Sequence, residues 1–300
     1  MKITPIAFDS LGTRGMATFV ETGDCNILID PGVSLAPVRY GLPPHSLELK
    51  RMKEHWREIK KLAKKSDVLV VSHYHYDHHN PEEPEVFKGK TLLLKHPTEN
   101  INQSQGERAA YFLQKLGKLP KKIEWAEGKE LVVGRTRILC SPPVFHGTSP
   151  KLGHVVETLV EEGKEKFIHT SDVEGPSQAE QAAFVLKHRP RVVFLDGPLS
   201  YMIYRFGMHA IGASVQNMIG FVQEGVETLV VDHHLLRDLH YKERLAPVYA
   251  AAEKTRARVV TAAEFARKKI DMLEAKRKEL YMRFPEKTEG KKFSESNSKV

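Results

Sequence analysis

The chain has 300 residues, 41% hydrophobic and 28% charged, with a formal net charge of +8. That composition supports a sizeable core and excludes a disordered or fibrous chain. Two cysteines, Cys25 and Cys140, exclude a disulfide framework and point to a reducing, cytoplasmic setting. No apolar stretch nears the roughly 20 residues of a membrane span. Pro5 and Asp9 interrupt the N-terminus too early for a secretory signal.

In chain order, Ile3 to Phe8, Met16 to Glu21 and Cys25 to Asp30 predict a β-meander, turned at Gly12, Gly15 and Gly23. Ser46 to Lys65 carries apolar residues at helical spacing, from Leu47 and Met52 to Trp56, Ile59 and Ala63. The β-branched run Val68 to Val71 predicts a buried strand, Thr91 to Lys95 another, and Gly106 to Leu116 a helix. Ile123 to Trp125, Glu130 to Val133 and Arg135 to Cys140 predict short antiparallel strands. Val155 to Val160 and Lys166 to His169 form a hairpin about Glu161-Glu162-Gly163. Ser177-Gln178-Ala179-Glu180 predicts a capping box opening a helix to about His188, and Thr261-Ala262-Ala263-Glu264 one opening the last helix. Arg191 to Asp196 and Glu227 to Asp232 predict buried strands, with a helix near Ala210 to Glu224 between them.

The charge is not spread evenly. Lys254 to Val300 holds fourteen Lys and Arg against seven Asp and Glu, nearly the whole excess. No aromatic platform accompanies it, so a solvated helix face and a basic, disordered tail are favoured over a nucleic-acid surface. Residues 1–281 are expected to form one domain and 282–300 that tail. Meanders followed by alternating strands and helices predict an α/β (α+β) fold of two packed sheets with helices outside.

The most informative segment is His73-Tyr74-His75-Tyr76-Asp77-His78-His79, directly after the strand Val68 to Val71. His73 and His75 alternate in extended backbone and can address one cation, while Asp77 and His78 reach a second position from the turn. Imidazole suits zinc, iron or manganese, and carboxylate oxygen hardens the second position. A dinuclear site needs more donors at strand ends. His146 follows the strand ending at Cys140, Asp172 follows Phe167-Ile168-His169, and His233-His234 ends Leu229-Val230-Val231-Asp232.

The order H-x-H-x-D-H, then His, Asp and His, resembles the metallo-β-lactamase superfamily of metal-dependent hydrolases. Ile27-Leu28-Ile29-Asp30-Pro31-Gly32 is similar to that family's opening strands. The resemblance runs from about Ile3 to Ala262 and is nearest to an archaeal branch of predicted metallo-hydrolases. It implies a four-layer αββα sandwich with the site at one edge of the sheets. By position, His73, His75 and His146 would hold a first metal, and Asp77, His78 and the last-motif histidine a second. Asp172 would bridge both with a water or hydroxide. In the tRNA 3′-processing branch an arginine follows the last histidine by four residues. Arg237 stands in that relation to His233 and selects it, with His234 as the alternative. Asp30 would orient a ligand imidazole from behind.

The implied chemistry is hydrolysis by a hydroxide activated between two divalent metals, zinc foremost and manganese or iron as alternatives. Asp77 would fix that hydroxide's direction. The substrate would be a phosphodiester or a small ester, lactone or thioester, with Arg237, His240 and the helix start at Ser177 hinting at an anion. A di-iron oxidoreductase and an RNA-binding protein or nuclease are the competing readings. His79, His169, His209, His240 and the unbound member of the His233/His234 pair are candidate leaving-group acids. No membrane partner is expected, and oligomeric state is not legible.

Overall fold

The computed structural model describes residues 1–286. Strand β1 (Lys2–Ala7), β2 (Ala17–Glu21) and β3 (Asn26–Ile29) pair antiparallel, as the glycine-punctuated meander requires. Strands β4 (Val68–Val71), β5 (Thr91–Leu94) and β6 (Lys122–Trp125) extend that sheet in parallel, so it runs β1 to β6 in sequence order. β7 (Glu130–Val133) and β8 (Thr136–Cys140) start the second sheet. A short ribbon of β9 (Val144–Phe145) and β10 (His154–Val155) follows. β11 (Thr158–Glu162), β12 (Glu165–His169), β13 (Val192–Leu195), β14 (Thr228–Val231) and β15 (Arg258–Val260) complete it, in the order β15-β14-β13-β12-β11-β8-β7.

Strand periodicity divides the apolar residues among three layers. Ile27, Ile29, Val68 and Val70 face inward and meet Ile138, Phe167, Phe194 and Val230 of the other sheet. The alternate residues Leu28, Leu69 and Val71 face outward, against Ile59 and Ala63 of helix Ser46–Lys65 and Phe112 of helix Gln103–Leu116. On the far side, Leu159, Val193 and Leu229 pack under Phe184 of helix Ala179–His188, Phe221 of helix Met208–Gln223 and Val248 of helix Ala246–Thr255. Each fully buried Leu, Val or Phe contributes about 1.5–3 kcal/mol of apolar transfer. The result is the four-layer αββα sandwich. Both cysteines are free and buried, and no helix of the described residues is long and apolar enough to cross a membrane.

Four local expectations are corrected. β6 pairs in parallel with β5 and closes the first sheet, because helix Gln103–Leu116 returns the chain in the same direction. The helix after Asp172 is opened by Gln178 and Gln181, whose Oε1 accepts from Gln178 N at 2.8 Å, rather than by Ser177 and Glu180. Thr261 and Glu264 do form a capping box, but the helix is one turn, Ala262–Phe265, and the last described helix is Arg277–Arg283. That helix runs through Met282, where the tail was expected to begin, because Arg277 is fully buried on Glu48 (2.8 Å) and Tyr281 lies edge-on to His45. The remainder of the expected tail, 287–300, lies outside the described residues.

Candidate metal centre

The two sheets end together at one edge, and the strand-end loops meet there. β4 delivers His73 to His79, the loop after β9 delivers His146, β12 delivers Asp172, and β14 delivers His233 and His234. One oxygen, Asp172 Oδ2, sits among five imidazole nitrogens. His78 Nε2 is 3.1 Å away, His233 Nε2 3.5 Å, His73 and His146 Nε2 3.6 Å, and His234 Nε2 3.7 Å. Donor atoms of His73, His75, His146 and Asp172 lie within 4.8 Å of one another. So do those of Asp77, His78 and His233, and those of Asp172, His233 and His234. Every residue singled out as a ligand in the sequence is thus brought to one place.

The pair at the end of β14 departs from strand logic. In extended backbone His233 and His234 would leave opposite faces, and one would point away. His233 instead takes a left-handed φ of 41°, and His234 is helical (φ −60°, ψ −40°), so alternation no longer applies and both rings face Asp172. His233 Nε2 also lies 3.7 Å from Asp77 Oδ2 and 3.2 Å from Arg237 Nη2.

Carboxylates behind the imidazoles fix their orientation. Asp30 Oδ2 lies 2.8 Å from His78 Nδ1 and also accepts from Ser72 Oγ, while Oδ1 accepts from Ser72 N at 2.8 Å. Asp9 Oδ2 lies 2.7 Å from His233 Nδ1, and Asp196 Oδ2 2.7 Å from His234 Nδ1. Glu174 Oε1 approaches His146 Nδ1 to 3.5 Å without a hydrogen bond. Sequence reasoning missed Asp9, Asp196 and Glu174. Asp9 and Asp196 each follow a strand, β1 and β13, so the rule that located the ligands was the signal available for them. Gln181 Nε2 ties the loops of His146 and Asp172 together by donating to Phe145 O (2.9 Å), Gly147 O (2.7 Å) and Val173 O (3.0 Å).

The electrostatics suit cations. Burial opposes charge on His78 and His233, yet Asp172 with Asp30 or Asp9 outweighs it, raising His78 well above its ordinary value and His233 to about 9. Burial and neighbouring imidazoles push His73 and His75 well below theirs, leaving neutral ligands. Burial also works against Asp77, but His78 and His233 hold its carboxyl at about 2. His78 Nε2, both nitrogens of His146 and Asp172 Oδ1 are buried with no hydrogen-bond partner, although buried polar atoms are normally paired. Cations held by the Nε2 atoms of His78 and His146 and by the Asp172 carboxylate would satisfy all of these but His146 Nδ1, so the residues fit metal ions.

Of the candidate acids, His79 is buried against Phe112 and donor-range of His75 O at 3.0 Å, and His169 Nε2 lies 2.9 Å from Met16 O. His209 and His240 are exposed. Only His234 among them lines the cavity over the donors, a space of about 960 Å³.

The metallo-beta-lactamase superfamily model matches residues 12–79. The UPF0282 protein of Korarchaeum cryptofilum is 51% identical, over 95% of this chain and 96% of its own. That of Metallosphaera sedula is 48% identical, over 94% and 93%. The chain belongs to the UPF0282 family, an archaeal branch of the metallo-β-lactamase superfamily. Its fold is similar to that of unliganded yeast PDE1, at TM-score 0.54 and 12% identity, covering 86% of this chain and 96% of that one. It is also similar to an isothiocyanate hydrolase from Delia radicum gut bacteria, at TM-score 0.52 and 12% identity, covering 87% and 95%. At such identities the likeness is one of fold.

Proposed function

We propose that this chain is a metal-dependent hydrolase that holds two divalent cations, zinc foremost, and cleaves a phosphodiester or a small ester, lactone or thioester. The observation that carries the reading is the Asp172 oxygen set between the two donor groups, with imidazoles on every side. His73, His75 and His146 would hold one cation and Asp77, His78 and His233 the other, with Asp172 facing both. Cations there supply Lewis acidity, lowering the pKa of water and polarising a carbonyl or phosphoryl oxygen. The chain's own groups do the positioning: Asp30 and Asp9 aim His78 and His233, and Asp77, kept ionised, accepts a hydrogen bond from the attacking water and sets its direction. The free, buried thiols support a reducing, cytoplasmic setting for this work.

The test is a panel of phosphodiester, lactone and thioester reporters, assayed with and without added zinc or manganese, on wild type and Asp172→Ala. Metal-dependent turnover of one class, abolished in the variant, is expected. Absence of turnover with bound iron and a visible absorption band would support an oxidoreductase instead.

A further inference from the structure

The cavity over the donors carries charge that the ligand set does not use. Five cationic side chains line it, Arg14, Arg108, Lys151, Arg205 and Arg237, against the three carboxylates Asp77, Asp172 and Glu174. Those carboxylates face the imidazoles, so bound cations leave the cavity strongly positive. Low-dielectric walls around one sign of charge focus the field on an incoming anion.

Four of these five cations fall into two unlike groups. Arg14 and Arg237 are held rigid on the His233 side. Arg14 Nε and Nη2 grip Glu274 at 2.6 and 2.7 Å, and Arg237 Nε donates to Asp9 at 3.2 Å. Nη1 of each makes no hydrogen bond among the described residues and stays available as a donor. Arg108 and Lys151 stand instead by the His75 and His146 loops. Arg108 projects from helix Gln103–Leu116 over the half-exposed Tyr76 ring, 5.1 Å from its centroid, and helps to depress His75. Lys151 sits on the loop after His146. Neither of them, nor Arg205, has a carboxylate within ion-pair distance among the described residues, whereas Arg14 and Arg237 of the same cavity each do. Unpaired cations lining a concave site attract a second anionic group.

We infer that the substrate is a small phosphoester bearing a second anionic group, the reacting phosphoryl lying toward Arg14 and Arg237 and the second anion taken by Arg108 and Lys151. This rests on the metallo-hydrolase reading and selects the phosphoester from its substrate classes. Guanidinium groups match phosphate oxygens by forked donation, and lysine adds a compact point charge. A neutral lactone or thioester uses neither group.

Two probes that differ by one phosphate test this: thymidine 5′-(p-nitrophenyl phosphate) and its 3′-phosphorylated form. Full-length, metal-loaded protein should favour the second in kcat/KM by about tenfold or more, since a hydrogen bond between charged groups is worth about a factor of ten. The preference should shrink as salt rises. Arg108→Ala with Lys151→Ala should bring the ratio near one, and Arg108→Lys with Lys151→Arg should keep it. Equal turnover of both probes by wild type overturns the inference while leaving the hydrolase reading intact. Should neither probe turn over, the hydrolase reading loses its phosphodiester class, and binding decides the subsite. Calorimetry should then show thymidine 3′,5′-bisphosphate binding about tenfold tighter than thymidine 5′-phosphate. The double alanine variant should lose the difference, and equal binding by wild type overturns the inference.

Discussion

Gly32→Ala probes the metal loop without touching a donor. Gly32 closes the turn after Asp30, its N–H donating to Asp30 O at 2.7 Å, and its α-carbon abuts the backbone of the histidine loop. A methyl group there would collide with His79 N and stand 2.5 Å from His78 C and 2.6 Å from His78 N. Ordinary contact begins at 3.4 Å, so the backbone at His78 and His79 must retreat by about 1 Å. These are backbone atoms of a fully buried segment and cannot swing aside as a side chain would. Metal–ligand distances tolerate only about 0.2 Å, so the second donor group is spoiled even though its residues remain. Displacing ligand support of this kind costs about 10–100-fold in affinity, or about 1.4–2.8 kcal/mol. The overpacking itself costs about 1–3 kcal/mol of stability. Competition against a chromophoric chelator, with circular dichroism to verify folding, measures the first quantity. Gly212→Ala is the control, because a methyl group there meets nothing within 4 Å. A folded Gly32→Ala protein with zinc affinity within about twofold of wild type would refute the packing argument.

Other perturbations address other links. Asp30→Asn keeps the size but offers one oxygen where Ser72 and His78 now share two, so zinc affinity should fall about 10–100-fold. A chelator titration checks this, and an unaltered affinity would remove Asp30 from the site's support. His55 supplies a pH test away from the site. Burial, then Arg51 and Lys268, lower it to about 3, and Thr13 Oγ1 lies 2.7 Å from Nδ1. Unfolding between its unfolded value near 6.5 and about 3 therefore takes up about one extra proton. This contribution is fully present above 6.5 and is lost as pH falls toward 3. Urea midpoints at pH 7 and pH 5 should differ less in His55→Gln than in wild type, and equal differences would contradict it.

The site was more legible than its surroundings for a physical reason. Ligands sit at the ends of apolar strands, where one or two polar residues stand out, and His73, His75, His146 and Asp172 are each visible that way. Their supports are not. Asp9 and His233 are 224 residues apart, and nothing local to either announces the pairing. That both His233 and His234 face Asp172 was not legible either, because it depends on the left-handed turn of the chain at His233. The direction of β6 was misread because three residues of alternating pattern say nothing about their partner strand, which the preceding helix decides. Arg277 is another such case: in sequence it belongs to a basic run, yet in the fold it is wholly buried on Glu48. Amphipathic spacing, by contrast, fixed helix Ser46–Lys65 to the residue, because twenty residues of periodicity leave little freedom.

The most direct measurement of the central claim is anomalous diffraction from crystals of the full chain grown with zinc. Two peaks per chain are predicted. One should lie about 2.0–2.1 Å from nitrogens of His73, His75 and His146, and the other at like distance from His78 and His233 with Asp77. Asp172 should lie against both. Density for zinc only at surface histidines, with these donors empty and hydrogen-bonded to one another, would contradict the account.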